Sequence, residues 1–284
     1  MKKNRVKLGL KYVLLVVLAV IMLYPTFFMV VNSVESPTQV REKSAATRGL
    51  TEAPGDGFGL LPTTPTLSQY YGTLFKEPTY LMMFLNSLAL AIPILVGQLL
   101  VAAMAAYAFA KTKLWGKNAL FFIYILVMIM PFQVTLVANY ITLDWMKLLD
   151  SRWAVIAPGV FGAFGVFVLR QFMSQVPDTY VEAARVDGAG HWRIFWKVVL
   201  PQVKGGLVAA GILIFIDNWN LVEQPLIFIK DTFLHPMSLL MTDVIQNHMD
   251  VAFACGVLFM IPTVLLYLRW QKHLNSGIQL SGIK

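Results

Sequence analysis

The chain has 284 residues, of which 57% are apolar and 13% charged, and it carries a net charge of +8. A soluble domain holds about 25% charged and about 45–50% apolar residues, so this balance excludes a water-soluble enzyme and asks for lipid as a second solvent. The basic residues stand in short clusters between apolar runs, which also excludes nucleic acid as the partner of the positive charge.

Crossing a bilayer as a helix takes about 20 residues at 1.5 Å each. The first apolar run, residues 12–31, follows Lys2, Lys3, Arg5, Lys7 and Lys11. A signal peptide has an apolar stretch of only about 7–15 residues before a small-residue cleavage site. This run is longer and no A-x-A-like site follows it, so it reads as an uncleaved first span. Residues 32–84 form a polar loop of Gly, Pro, Ser and Thr with mixed charge, with one short helix expected around Thr66–Leu74. Five further spans are expected at residues 85–110, 119–139, 153–172, 206–229 and 251–270, followed by a tail, 271–284. Most carry a proline (Pro25, Pro93, Pro131, Pro158, Pro225, Pro262), which membrane helices tolerate because neighbours re-satisfy the freed carbonyl. The expected fold is therefore all-α, a single transmembrane domain over residues 1–284 with about six membrane helices.

Orientation follows from the cations. With the N-terminus inside, the tail lysines and arginines, Lys111, Lys113 and Lys117, then Arg170, Arg185, Arg193, Lys197 and Lys204, and finally Arg269, Lys272 and Lys284 all lie inside, sixteen of the 23. Seven (Arg41, Lys43, Arg48, Lys76, Lys147, Arg152 and Lys230) lie outside. The positive-inside rule then puts both termini in the cytoplasm and residues 32–84 on the other side.

Residues 171–204 are a long inner connection. Pro177 and Asp178 make a helix start, because an acid suits the positive helix end. Gly188-Ala189-Gly190 breaks the helix and permits a turn that residues with a Cβ resist. A second helix over Trp192–Leu200 places Trp192, Phe195, Trp196 and Val199 on one side at i, i+3, i+4, i+7 spacing. Pro201 marks the junction with the fifth span. This helix–turn–helix suits two uses: an amphipathic hairpin resting on anionic headgroups, or a lever that fits a groove on a cytoplasmic partner. Composition alone fits both.

The fifth span holds Asp217, Asn218, Trp219, Asn220, Glu223 and Gln224. A carboxylate facing lipid costs about 2.5–3.5 kcal/mol even on the lenient insertion scale, so these groups face the bundle or water. They suit a hydroxyl-rich ligand, which needs acceptors and amides beside an aromatic, and equally a gate or a helix-to-helix clasp. Gln98 and Gln133 are weaker members of the same set. The chain lacks a G-x-x-x-x-G-K-[ST] loop and an H-E-x-x-H pair, so neither nucleotide binding of the P-loop kind nor a zinc enzyme is expected. His191, His235, His248 and His273 are scattered. Cys255 lies in an apolar run and reads as a small buried hydrophobe.

Glu182-Ala183-Ala184, then Gly188, then Val198-Val199-Leu200-Pro201 resembles the EAA loop of ATP-binding-cassette importer permeases. The fuller run Glu182-Ala-Ala-Arg-Val-Asp187-Gly188-Ala189 is similar too, with Val198 where the pattern has isoleucine. Asn86-Ser87-Leu88, Ala105-Ala106-Tyr107-Ala108-Phe109-Ala110, Trp219-Asn220 and the Gly-containing tail Gly277–Lys284 resemble the carbohydrate, maltose-type branch.

That resemblance implies a bacterial plasma-membrane permease subunit rather than an enzyme. Its EAA residues (Glu182, Ala183, Ala184, Asp187, Gly188, Leu200 and Pro201) would engage an ATPase subunit. Glu182 would pair with a base there, and Gly282 and Lys284 would reach the ATPase dimer. It implies two ATPase subunits that bind ATP and magnesium, with no cofactor on this chain. A second homologous permease and an external solute-binding protein complete the set, in contact with membrane lipid and with no nucleic acid. The cargo would be a sugar or oligosaccharide. A non-sugar solute, or a self-sufficient secondary carrier, is the alternative, although a carrier would show inverted repeats that are absent here.

Overall fold

The computed structural model describes residues 2–47, 58, 59, 61–76 and 78–281. Apart from one isolated bridge between Glu35 and Pro65, every regular element among them is helical. They fall into two compact units, residues 1–82 with 240–261 and residues 83–239 with 262–284. Four helical stretches are long and apolar enough to cross a membrane, Lys11–Asn32, Thr79–Lys111, Trp153–Gln175 and Met249–Gln271. Two sharply bent helix pairs raise the number to six when each counts as one span.

In the first unit, α1 (Lys2–Asn32) leaves its apolar side chains uncovered, with Val16 61% and Met22 68% exposed, as a helix bathed in lipid does. The described residues of the segment after it hold more helix than its polar composition suggests. Besides the expected short helix, α3 (Ser68–Tyr71) with a π turn over Gly72–Lys76, it carries α2 (Pro37–Thr47). Glu35 organises this segment. Its buried carboxylate accepts from Lys43 Nζ at 3.0 Å and from the backbone amides of Thr63 and Thr64, both at 2.9 Å. Burial alone would raise this carboxyl, but the Thr64 and Thr63 amides, with Lys43 and the Thr63 hydroxyl, outweigh it and hold it at about 2. Gln69, also fully buried, donates to the carbonyls of Asn32 (2.7 Å) and Glu35 (2.9 Å). A cluster of Phe28, Phe58 and Phe253 closes the unit, with ring centroids 5.4–6.0 Å apart.

The second unit holds α4 (Pro78–Lys111) from Met83 on, α5 (Lys117–Ile129), α6 (Phe132–Trp145), α7 (Trp153–Val160), α8 (Ala163–Gln175) and α12 (Lys204–Trp219). Small residues let these helices approach closely, as membrane helices do. Ala102, Ala103 and Ala106 of α4 are buried, and a Cβ on Gly206 would stand 2.9 Å from the Phe172 Cβ. Phe121 stacks on Phe167 at 6.4 Å, and the Arg170 guanidinium lies 3.8 Å from the Phe121 ring centre, a cation–π contact.

Two expected spans are broken. Residues 119–139 form α5 and α6, bent by 99°. Met130 is extended (ψ 129°) because it precedes Pro131, whose ring disfavours helix at the residue before it. Residues 206–229 form α12 and the short α13 (Glu223–Phe228). The end of α12 is where Asn218 and Asn220 turn their amides onto the Ile214 and Ile216 carbonyls at 2.8 and 2.7 Å, local bonds that compete with helix propagation.

Candidate functional site: a helical hairpin and a polar cavity

The hairpin begins at α9 (Asp178–Val186), after Val176 and Pro177 leave the helical conformation. Its turn is a Schellman closure. The Gly188 amide donates to the Arg185 carbonyl at 3.0 Å and the Ala189 amide to the Ala184 carbonyl at 2.9 Å. Gly188 has φ +77° and open space where a Cβ would stand, so the backbone conformation rather than crowding calls for glycine. The return arm is α10 (His191–Ile194), a π-helical turn Phe195–Val199 and α11 (Leu200–Gln202).

Val181, Ile194, Phe195 and Val199 of the hairpin, with Val203 just after it, are buried in one apolar cluster with α4, α8 and α12. Trp192 (66% exposed) and Trp196 (48% exposed) stay outside it. The aromatic rings of the return arm stay together, Trp192 and Trp196 lying 6.3 and 5.0 Å from the buried Phe195, which they flank from its exposed side. Glu182, Ala183, Asp187 and Pro201 are exposed, while Ala184 and Leu200 are half-buried against the cluster. Tyr180 (52%) and Val186 (88%) add to the open apolar surface of α9.

Lys111, which had no place among the expected coupling residues, pins the base of the hairpin. Its buried ammonium donates to the Val176 carbonyl, at the C-terminal end of α8, and to Asp178 Oδ1 at 2.6 Å. The hydrogen bond and then the charge of Lys111 hold the exposed Asp178 carboxyl below its usual value. A lysine ending an apolar run gives no sequence signal beyond its sign.

A cavity of about 620 Å³ opens elsewhere in the same unit, between the broken α5–α6 pair, the α7–α8 junction and the C-terminal end of α12. Of the six expected path residues, Asp217, Asn218 and Gln224 line it. Trp219 does not. It is buried, stacked on Phe215 at 5.4 Å and edge-on to Phe84 at 5.5 Å. Asn220 is exposed and bonded to its own helix, and Glu223 accepts from Gln133 at 2.7 and 2.9 Å. Gln98 also lines the cavity and donates to the Gly162 carbonyl at 3.3 Å. Tyr124, Thr135 and Asn139 complete its polar wall. Only the break at Pro131 brings them there, which periodicity did not reveal. Among the described residues no group of three His, Cys, Asp or Glu could hold a metal ion.

Asn86 and Ser87 prove to be structural pins. Asn86 donates to the Phe233 and His235 carbonyls at 2.6 and 3.2 Å and accepts from Arg152 at 2.8 Å, and Ser87 Oγ accepts from the Met237 amide at 2.8 Å. Gly282 and Lys284, expected at the ATPase, lie outside the described residues.

The family model described as "Binding-protein-dependent transport system inner membrane component" matches residues 78–280. The arabinooligosaccharides transport system permease protein of Halalkalibacterium halodurans is 30% identical over 84% of this chain and 88% of its own. The sn-glycerol-3-phosphate transport system permease protein of Yersinia pestis is 31% identical over 69% of this chain and 72% of its own. In fold, the chain resembles one from a crystal structure of a bacterial ABC transporter for the acidic polysaccharide alginate, with a TM-score of 0.80 and 23% identity over 96% of this chain and 98% of that one. With a family match over most of its length and an all-helical body of four to six candidate spans, this chain belongs to the binding-protein-dependent transport system inner membrane components.

Proposed function

We propose that this chain is one permease subunit of an ATP-driven importer and carries a carbohydrate delivered by an extracytoplasmic binding protein. The cavity beside Asp217, Asn218 and Gln224 forms its half of the path, and a second, homologous permease forms the other half. Two ATPase subunits bind and hydrolyse ATP with magnesium, and this chain supplies neither step. The hairpin over residues 178–202 docks on one of them, with both termini on that cytoplasmic side of a bacterial plasma membrane. A relative named for arabinooligosaccharides and a fold neighbour that imports a polysaccharide support the cargo class, and another solved neighbour is in complex with a pentasaccharide-bound periplasmic protein.

One observation carries the reading. The hairpin's buried side chains sit in the same apolar cluster as α4, α8 and α12, and those three helices supply Gln98, Ala163, Phe164, Asp217 and Asn218 to the cavity wall. Along α12 the two places are separated by about 20 Å of helix at 1.5 Å per residue. A packed interior moves in discrete steps rather than yielding, so a push on the hairpin is felt at the cavity. Exposed Glu182, Asp187 and Val186 supply the docking surface, and Gly188 holds the turn.

Gly188→Asp tests this. Nothing crowds the position, and Asp enters the left-handed region more readily than most residues, so the backbone cost is about 1 kcal/mol and the chain still inserts. Uptake in cells falls to background because an acid now projects from the docking turn. Normal uptake at normal membrane abundance would overturn the docking role.

A further inference from the structure

We propose that the cavity discriminates by charge, with Asp217 as the specificity-determining residue, so that the cargo is an uncharged carbohydrate rather than an acidic or phosphorylated one. This rests on the reading of the cavity as the translocation path. No lysine, arginine or histidine stands among the residues that line it. Its polar side chains are the Asp217 carboxylate, the amides of Gln98, Asn139, Asn218 and Gln224, and the hydroxyls of Thr135 and Tyr124. Neutral sugar hydroxyls both donate and accept, and this set answers both demands. The Gln224 Oε1 is buried without a partner among the described residues, an acceptor ready for a hydroxyl.

An anionic sugar asks for something else. Carboxylates and phosphates are held by Arg or Lys, whose charge offsets the loss of water. Here the one charged group on the wall has the wrong sign, and Asp217 is in none of the ion pairs among the described residues. Glu223, one residue before Gln224, adds a second carboxylate whose partner is the neutral Gln133 amide, so its charge is not cancelled.

The test is saturation-transfer NMR on the complete importer, purified from native membranes into nanodiscs. The probes are neutral arabinotriose and maltotriose and the acidic trimer of galacturonate. Wild type is expected to bind a neutral trimer about tenfold or more tightly than the acidic one. Asp217→Asn shrinks that preference about tenfold, whereas Asp217→Glu, which keeps the charge, preserves it. Equal or tighter binding of the acidic trimer by wild type, or an unchanged preference in a correctly assembled Asp217→Asn complex, would overturn the charge assignment while leaving the path reading standing. Failure of every neutral trimer to bind would overturn the path reading itself, and the charge assignment with it.

Discussion

Replacing Lys111 by Met removes the clamp at the base of the hairpin while keeping the apolar stem in place. The lysine side chain is 3% exposed and Asp178 75% exposed, so the two sides of the pair count differently. Asp178 rehydrates when it loses Lys111, and its share of the pair comes to well under 1 kcal/mol after screening. The Val176 carbonyl loses a charged donor within a mostly buried neighbourhood, a loss of about 1–3 kcal/mol. Together they come to about 2 kcal/mol, concentrated where α8 hands over to α9, which is about a thirtyfold rise in local opening. Hydrogen exchange followed by mass spectrometry on the nanodisc-embedded complex reads this directly. Amides of residues 178–186 are expected to exchange about thirtyfold faster in Lys111→Met, with those of α12 much less affected. Asp178→Asn is expected to give a smaller change, because Lys111 keeps the Val176 carbonyl and a neutral oxygen. The depressed Asp178 value adds a pH signature. Its stabilisation is complete above the ordinary carboxyl value of 3.8 and is lost as pH falls through the lower folded value. Unchanged exchange over residues 178–186 in Lys111→Met would refute the clamp.

Other perturbations probe the rest of the account. Glu35, held at about 2 against an ordinary 4.5, stabilises its loop by about 3 kcal/mol. Because the folded value is the lower one, this contribution is complete above about pH 4.5 and fades as pH falls toward 2. Limited proteolysis across residues 58–76 should accelerate over that window, and Glu35→Gln should remove most of the pH dependence. Gly206→Ala would push a methyl to 2.6 Å from Phe172 Cδ2. Overpacking of this kind costs about 1–3 kcal/mol, which a lowered Tm of the purified complex would report.

Some of this was legible in the residues and some was not. The hairpin was, because its parts are local. Asp178 starts a helix, Gly188 is required by a positive φ, and Pro201 sits in the last short helix of the return arm, next to the break at Val203, each through chemistry within a few residues of itself. Long apolar runs likewise read directly as α1 and α4. Direction and phase were not legible. Hydropathy sees Met130-Pro131 as part of one apolar run, yet the restriction before proline bends the chain by 99° and brings Thr135 and Asn139 to the cavity. Likewise the spacing does not tell how deeply each aromatic of the return arm is buried: Phe195 is enclosed while Trp196, its ring 5.0 Å away, stays half-exposed. The polar residues of the fifth run stand out in the sequence, but only the fold sorts them into cavity-lining Asp217, Asn218 and Gln224 and core-packing Trp219. In the sequence Lys111 speaks to orientation alone, since its partners at Val176 and Asp178 become neighbours only through the fold.

The central claim is that the exposed face of α9 is a docking surface for an ATPase. Val186, 88% exposed and apolar, is the place to ask. A photo-crosslinking amino acid at that position, activated in native membranes and followed by mass spectrometry of the adducts, gives the answer. A discrete adduct with a P-loop-bearing ATPase, lost in Gly188→Asp, is expected. Adducts with lipid alone, at full yield and unchanged by Gly188→Asp, would contradict the claim and leave the hairpin as a membrane-resting element.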